Sequence, residues 1–212
     1  GFEGKVINKG NALEVSLPDG SAYVFHYKNG KYVGEGSRAT FEKNISGVDI
    51  MTTKDQYKYG FSSTTNKLIY MEDKNGNRIN LIYTSGKLTK VVDTVGREYE
   101  LTYNNKNLLS KVTDPAGRSV TYEYNNKDLL HKVTDSRGGV LSYTYDNSQF
   151  LTGLIDQNGY TFQELTYSHS PGDSQNKVIE SKDGAGETWN YSYSKSERKT
   201  TIKNKEDKKW TY

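Results

Sequence analysis

Six aspartates return at one fixed station: Asp73, Asp93, Asp114, Asp135, Asp156 and Asp183, each followed three residues later by Gly76, Gly96, Gly117, Gly138, Gly159 or Gly186. Paired carboxylates perform acid–base catalysis when two unlike environments push their pKa values apart. Here every copy keeps the same company, so the pattern supplies one environment repeated, not two. A turn fits better: Asp at the first position accepts bonds from amides ahead of it, and Gly takes the positive φ that follows a type I turn in a hairpin. These twelve residues are read as structural turn residues, and no catalytic residue is assigned.

Other reactive types give little. His26, His131 and His169 fall at unrelated places: an early strand, a strand start and an irregular loop before Pro171. Metal ligation or general base work needs partners at set spacings, which they lack. Asp73-Lys74-Asn75-Gly76-Asn77 and Asp183-Gly184-Ala185-Gly186-Glu187 resemble cation loops superficially, but the alternating acids of an EF-hand are absent. The chain holds no cysteine, so disulfides and thiolate chemistry are excluded. No metal or cofactor is expected, and the chain is read as a non-enzyme.

Aromatic residues pose the real question. The 18 Tyr, 6 Phe and 2 Trp argue for an ordered chain although only 33% of its 212 residues are hydrophobic. Tyr122, Tyr124, Tyr143, Tyr145 and Trp189 could stack on sugar rings if exposed, which makes carbohydrate binding the rival to packing. Single-stranded nucleic acid could use the same rings, but with 29 basic and 26 acidic residues intermixed there is no concentrated basic groove. Even Lys195 to Lys209 carries Glu197, Glu206 and Asp207 and reads as a solvated strand face. No apolar run approaches the roughly 18 residues that span a bilayer, and the first ten residues are not a signal peptide.

The elements that position these residues follow from periodicity. Successive turn aspartates lie 20, 21, 21, 21 and 27 residues apart. Five residues before each stands an apolar residue, Leu68, Leu88, Leu109, Leu130, Leu151 or Val178. Two before it stands Met71, Val91, Val112, Val133 or Leu154, and Ser181 in the last full unit. Six, eight and ten residues after come triplets such as Val120/Tyr122/Tyr124, Leu141/Tyr143/Tyr145 and Trp189/Tyr191/Tyr193. Spacing by two is a strand with one packed face, and the intervening Ser, Thr and Glu make the other face polar. Second turns at Asn104-Asn105-Lys106, Asn125-Asn126-Lys127 and Thr84-Ser85-Gly86-Lys87 complete a unit of two strands and two turns. After Asp156 the phase slips by one, Phe162 being in register and Leu165 and Tyr167 late, which predicts a β-bulge.

The expected fold class is all-β: an antiparallel meander of repeated hairpins, a curved or spiralling ribbon that forms part of something larger. Residues 1–66 read as degenerate initial repeats with an insertion near 28–50, in which Leu17 and Met51 take the Asp position and Gly20 and Lys54 the Gly position. Residues 67–212 read as regular repeats, the last truncated: Asn204 falls 21 residues after Asp183, and Trp210 and Tyr212 follow at plus six and eight. The spacing thus predicts a strand cut at Tyr212, and a chain that is a fragment.

The stretches "LTKVVDTVGREYELTYNN", "LSKVTDPAGRSVTYEYNN" and "LTGLIDQNGYTF" resemble the tyrosine-aspartate (YD) repeats of the Rhs family, whose members include bacterial wall-associated proteins, insecticidal toxin-complex subunits and animal teneurins. The likeness covers residues 12 to 212 and is strongest over 68 to 146. The Lys- and Asn-rich composition leans toward a Gram-positive wall-associated member. The literal Tyr-Asp pair stands only at Tyr145-Asp146; Asn104 and Asn125 replace the Asp elsewhere, and Asn serves a turn equally well. The family's self-cleavage motif of two Asp-Pro-x-Gly turns is half matched, since Asp114-Pro115-Ala116-Gly117 has the Pro and Asp135-Ser136-Arg137-Gly138 lacks it. The resemblance implies a secreted or wall-associated, extracellular β-shell enclosing a C-terminal toxin. The partners implied are the remainder of the shell and that toxin, with wall glycan as the alternative; no nucleic acid and no membrane span are expected.

Overall fold

A computed structural model of the chain describes residues 4–44, 46–206 and 208–212. Among them there is no helix; all regular structure is β. Two compact units appear, one of residues 1–101 with 114–116, the other of residues 102–113 with 117–212.

In the first unit the strands are β1 Lys5–Asn8, β2 Ala12–Ser16, β3 Ala22–Lys28, β4 Lys31–Gly34, β5 Thr40–Glu42, β6 Val48–Thr52, β7 Lys58–Ser62, β8 Leu68–Glu72, β9 Arg78–Thr84 and β10 Lys87–Val92. The division between the units falls within β11, Glu98–Tyr103, after Leu101. Each strand from β1 to β10 pairs antiparallel with the next. The stretch read as an insertion supplies β4 and β5.

β1 also returns to the start of β8. Lys5 bridges Lys67, the Val6 amide donates to Asn66 O at 2.9 Å, and the Leu68 amide to Gly4 O at 2.9 Å. The pairings from β1 to β8 therefore form a closed circuit, which leaves β1 without a free edge and gives the apolar face an enclosed side. Leu13, Val15, Phe25, Met51, Phe61 and Leu68 are buried to 1% exposure or less, and Phe41 links the Phe25 and Phe61 rings at 5.5 and 6.4 Å.

The second unit holds β12 Leu109–Thr113, β13 Ser119–Tyr124, β14 Leu130–Thr134, β15 Val140–Tyr145, β16 Leu151–Asp156, β17 Thr161–Ser168, β18 Lys177–Asp183, β19 Thr188–Ser194, β20 Lys199–Asn204 and β21 Lys209–Thr211. They too pair antiparallel in chain order. Here no hydrophobic side chain is buried among the described residues; most apolar stations are half-exposed, and Phe162, Trp210 and Tyr212 are exposed. A meander without a closing pairing has nothing to lay over its apolar face.

The expected slip after Asp156 is present. Leu154 pairs with Gln163 and Ile155 with Thr161, so Phe162 is the unpaired residue, and its carbonyl accepts from the Gly184 amide at 3.1 Å. A second, regular set of bulges was hidden by its own regularity. Glu123 pairs with Lys132 and Tyr124 with Leu130, leaving His131 over; Ile69, Thr89, Thr152 and Ile179 are left over in the same way. Each stands four residues before a turn aspartate. The bulge explains why apolar residues at minus five and minus two, three apart, share one face: strict alternation would place them on opposite faces.

Early turns depart from the expected alignment. Met51 lies within β6 and is fully buried; the turn begins at Thr53, whose carbonyl accepts from Gln56 at 3.0 Å, and Gln56 rather than Lys54 takes the positive φ of 66°. At Leu17 the backbone keeps the turn, with Gly20 N to Leu17 O at 3.1 Å. Leu17 is 4% exposed and belongs to the core, and Asp19 instead caps the Ser21 amide at 2.9 Å.

Candidate functional site: a locked tyrosine face

The turn aspartates meet the demand of a tight hairpin end, in which amides point inward with no strand partner. Asp135 Oδ1 accepts from the amides of Arg137 and Gly139, both at 2.8 Å. Asp73, Asp93, Asp156 and Asp183 each accept from the amides two and four residues ahead at 2.8 to 3.0 Å, and Asp114 from Ala116 at 2.9 Å. Gly76, Gly96, Gly117, Gly138, Gly159 and Gly186 hold φ between 80° and 87°. A side chain there would be strained whatever the space around it.

Charge follows geometry. The side-chain amide of Asn77 holds the Asp73 carboxyl below the usual carboxylate range, and the Arg97 amide does so for Asp93. The Arg137 and Gly139 amides act likewise on Asp135. Such carboxylates are stabilised as anions and are poor proton donors at neutral pH.

The opposite hairpin ends reuse the device. Asn104 Oδ1 accepts from Lys106 and Leu108 at 3.0 and 2.9 Å, Asn125 Oδ1 from Lys127 and Leu129 at 2.9 and 3.0 Å, and Asp146 Oδ1 from Phe150 at 2.9 Å. Asn and Asp do the same work at the second position of the Tyr-Asp pair. The positive φ falls on Asn107, Asp128 and Gln149, at 67°, 62° and 71°, where the sequence carries no glycine to announce it. At the first kind of hairpin end, Asn204 takes the turn-aspartate station one repeat after Asp183, accepting from Glu206 and Lys208 at 3.2 and 2.9 Å.

The tyrosines carry a relation that the alternation did not disclose. Tyr124 OH donates to Leu109 O at 2.8 Å, Tyr145 OH to Leu130 O at 2.7 Å and Tyr193 OH to Val178 O at 2.8 Å. Each donor stands at plus ten and each acceptor at minus five, so one interval of fifteen residues ties the two strands of a hairpin. Partial burial pushes all three phenols above their ordinary pKa. Tyr122, Tyr143 and Trp189 lie on the same half-exposed face, within the β13, β15 and β19 rows. Of the rings read as candidate sugar platforms, Tyr124 and Tyr145 thus have their hydroxyls committed to backbone.

The histidines remain apart. His26 meets Glu35 at 3.0 Å, His131 sits at a bulge with Nδ1 3.3 Å from Tyr143 O, and His169 meets Asp146 at 2.8 Å beside Phe150. Among the described residues no group of three or more His, Asp or Glu is placed to hold a metal ion.

Comparison with known proteins gives the repeat a lineage. No curated protein sequence matches the chain. Among solved structures, the TcdB2-TccC3 complex matches 94% of this chain and 14% of its own at 14% identity, with a TM-score of 0.50, a likeness of fold. The same complex without its hypervariable C-terminal region matches 92% of this chain and 13% of its own at 11% identity, TM-score 0.47. A Photorhabdus luminescens Tc holotoxin pore matches 92% and 14% at 11% identity, TM-score 0.34. The chain spans about one seventh of the length of these solved chains. The family described as Teneurin YD-shell matches residues 39–164, from the fifth strand through the hairpins that carry the Tyr124 and Tyr145 ties. With well over half of its length inside that match, the chain belongs to the Teneurin YD-shell family.

Proposed function

We propose that the chain is a wall segment of a secreted YD-repeat shell that encloses a toxin polypeptide encoded beyond the repeats, for use between competing cells. The observation that carries this reading is the contrast between the two units. The first encloses its apolar residues in a closed circuit of strands. The second holds an ordered row of Leu, Val and Tyr that stays half-exposed, with Tyr124, Tyr145 and Tyr193 tied to backbone. A face that is built and locked but uncovered suits a wall whose other side meets an enclosed volume. The turn carboxylates, each satisfied by amides, give the wall its hairpin ends and leave no acid–base pair to invoke. The Lys- and Asn-rich, cysteine-free sequence supports a Gram-positive, wall-associated source.

The test is protection. In the product of the whole gene, the segment that follows the repeats resists protease while the shell is intact and is degraded once urea opens it. Cleavage of that segment in the folded product at the same rate as in urea removes the enclosure from the account.

A further inference from the structure

One repeat of the second unit carries a small polar side chain where the others carry an aliphatic one. Two residues before the turn aspartate, other repeats of this unit carry Val112, Val133 and Leu154; the repeat that turns at Asp183 carries Ser181. Ser181 is the centre of a three-strand patch, opposite Leu165 on β17 and Trp189 on β19. It is 8% exposed, and its hydroxyl meets Tyr191 OH at 2.9 Å. Beside it lies an open concavity of about 640 Å³, about twice that at the equivalent station lined by Val133, Leu141 and Asp135.

Its lining has a definite chemistry. Leu165 and Val178 form apolar wall, Trp189 and Tyr191 aromatic wall, and Gln163 and Asp183, paired in register, stand at one end. Among the described residues that line it, Asp183 alone carries a charge. The Ala185 and Glu187 amides both bond its Oδ1, so the turn draws on one oxygen of the two. An anion is repelled here. A flat cation is suited: guanidinium is planar, weakly hydrated, stacks on aromatic faces and pairs with carboxylate.

The chain already builds this arrangement internally in its first unit. Arg78 lies over the Tyr70 ring, Cζ 3.9 Å from the centroid, while its Nη2 meets Glu72 at 2.6 Å. The concavity beside Ser181 offers the aromatic and carboxylate parts of the same triad without an arginine of its own. We propose that this concavity is a binding site for the arginine side chain of an extended polypeptide, stacked on Trp189 and Tyr191 and paired with Asp183. The inference does not depend on the shell reading, since it needs only the second unit's own patch.

The chain itself serves for the test, with the Trp189 indole followed by NMR during titration with an acetyl-Gly-Arg-Gly-amide peptide. The expected result is a saturable shift, weakened at least about tenfold when citrulline, which keeps the shape without the charge, replaces arginine. Asp183→Asn should weaken binding comparably while keeping the turn, because Asn204 accepts the equivalent amide bonds one repeat later. Ser181→Val, which refills the station with the residue found at 112 and 133, should abolish the shift. Absence of a saturable shift, equal affinity for the citrulline peptide, or undiminished binding in Ser181→Val each overturns the proposal. So does a methyl pyranoside that binds more tightly than the arginine peptide, which would make the concavity a sugar site.

Discussion

Tyr145 donates its hydroxyl to the carbonyl of Leu130, 2.7 Å away and fifteen residues back in the chain. The bond joins the end of β15 to the start of its hairpin partner β14, whose other edge carries the bulge at His131 in the ladder with β13. Tyr145→Phe keeps the ring and removes only this tie, which contributes about 1 kcal/mol as a typical net hydrogen bond. A lowered denaturant midpoint with an unchanged m-value is the expected result. Tyr143→Phe, whose hydroxyl is at plus eight, should cost less, and equal effects would mean that the fifteen-residue tie does not matter.

Acid should loosen the hairpin ends. Asp73, Asp93 and Asp135 have folded pKa values below their ordinary ones, so their contribution is complete above the unfolded carboxylate value of about 4 and is lost as pH falls through the folded values. Melting temperature should therefore drop below about pH 4. The triple Asp→Asn variant should flatten that drop, since Asn keeps the acceptor and does not titrate. A variant as acid-sensitive as the parent would assign the effect to other groups.

The two units should respond differently to lost side chains. Phe25→Ala removes a ring at 0% exposure from an enclosed core and should cost about 3 to 5 kcal/mol. Leu141→Ala removes a half-exposed side chain and should cost about 1 kcal/mol. Comparable losses by chemical denaturation would show that the second unit's face is covered in the isolated chain.

Gly60 is buried opposite Tyr70, and an added Cβ would run into the Tyr70 ring, over which Arg78 also lies. Gly60→Ala should therefore displace the ring and cost about 1 to 3 kcal/mol as overpacking. Near-UV circular dichroism and a thermal melt together read it. An unchanged melt would mean that the ring has somewhere else to go.

Much of the fold was written where the pattern changes, and little where it does not. The slip at Phe162 was legible because it broke the alternation. The bulges at Ile69, Thr89, His131, Thr152 and Ile179 were not, because an extra residue that recurs at the same station leaves the period intact. Their trace was the odd spacing of three between Leu130 and Val133. Gly138 announced its positive φ, whereas Asn107, Asp128 and Gln149 adopt theirs with no glycine to mark the position. The return of β1 to Lys67 is a contact across sixty residues that no local spacing encodes. The tyrosine face was correctly read as the apolar one, but its hydroxyl ties needed the two strands side by side.

In the shell wall proposed above, the Tyr143/Tyr145 face is the covered side and the Thr144/Glu123 face the outer side. Hydroxyl-radical footprinting of the 212-residue chain and of the whole gene product tests it most directly. The account predicts that Tyr143, Tyr145 and Trp189 are oxidised readily in the chain and strongly protected in the whole product, while modification around Glu123 and Thr144 is unchanged. Equal oxidation of those rings in both, or protection of the polar face instead, would contradict it.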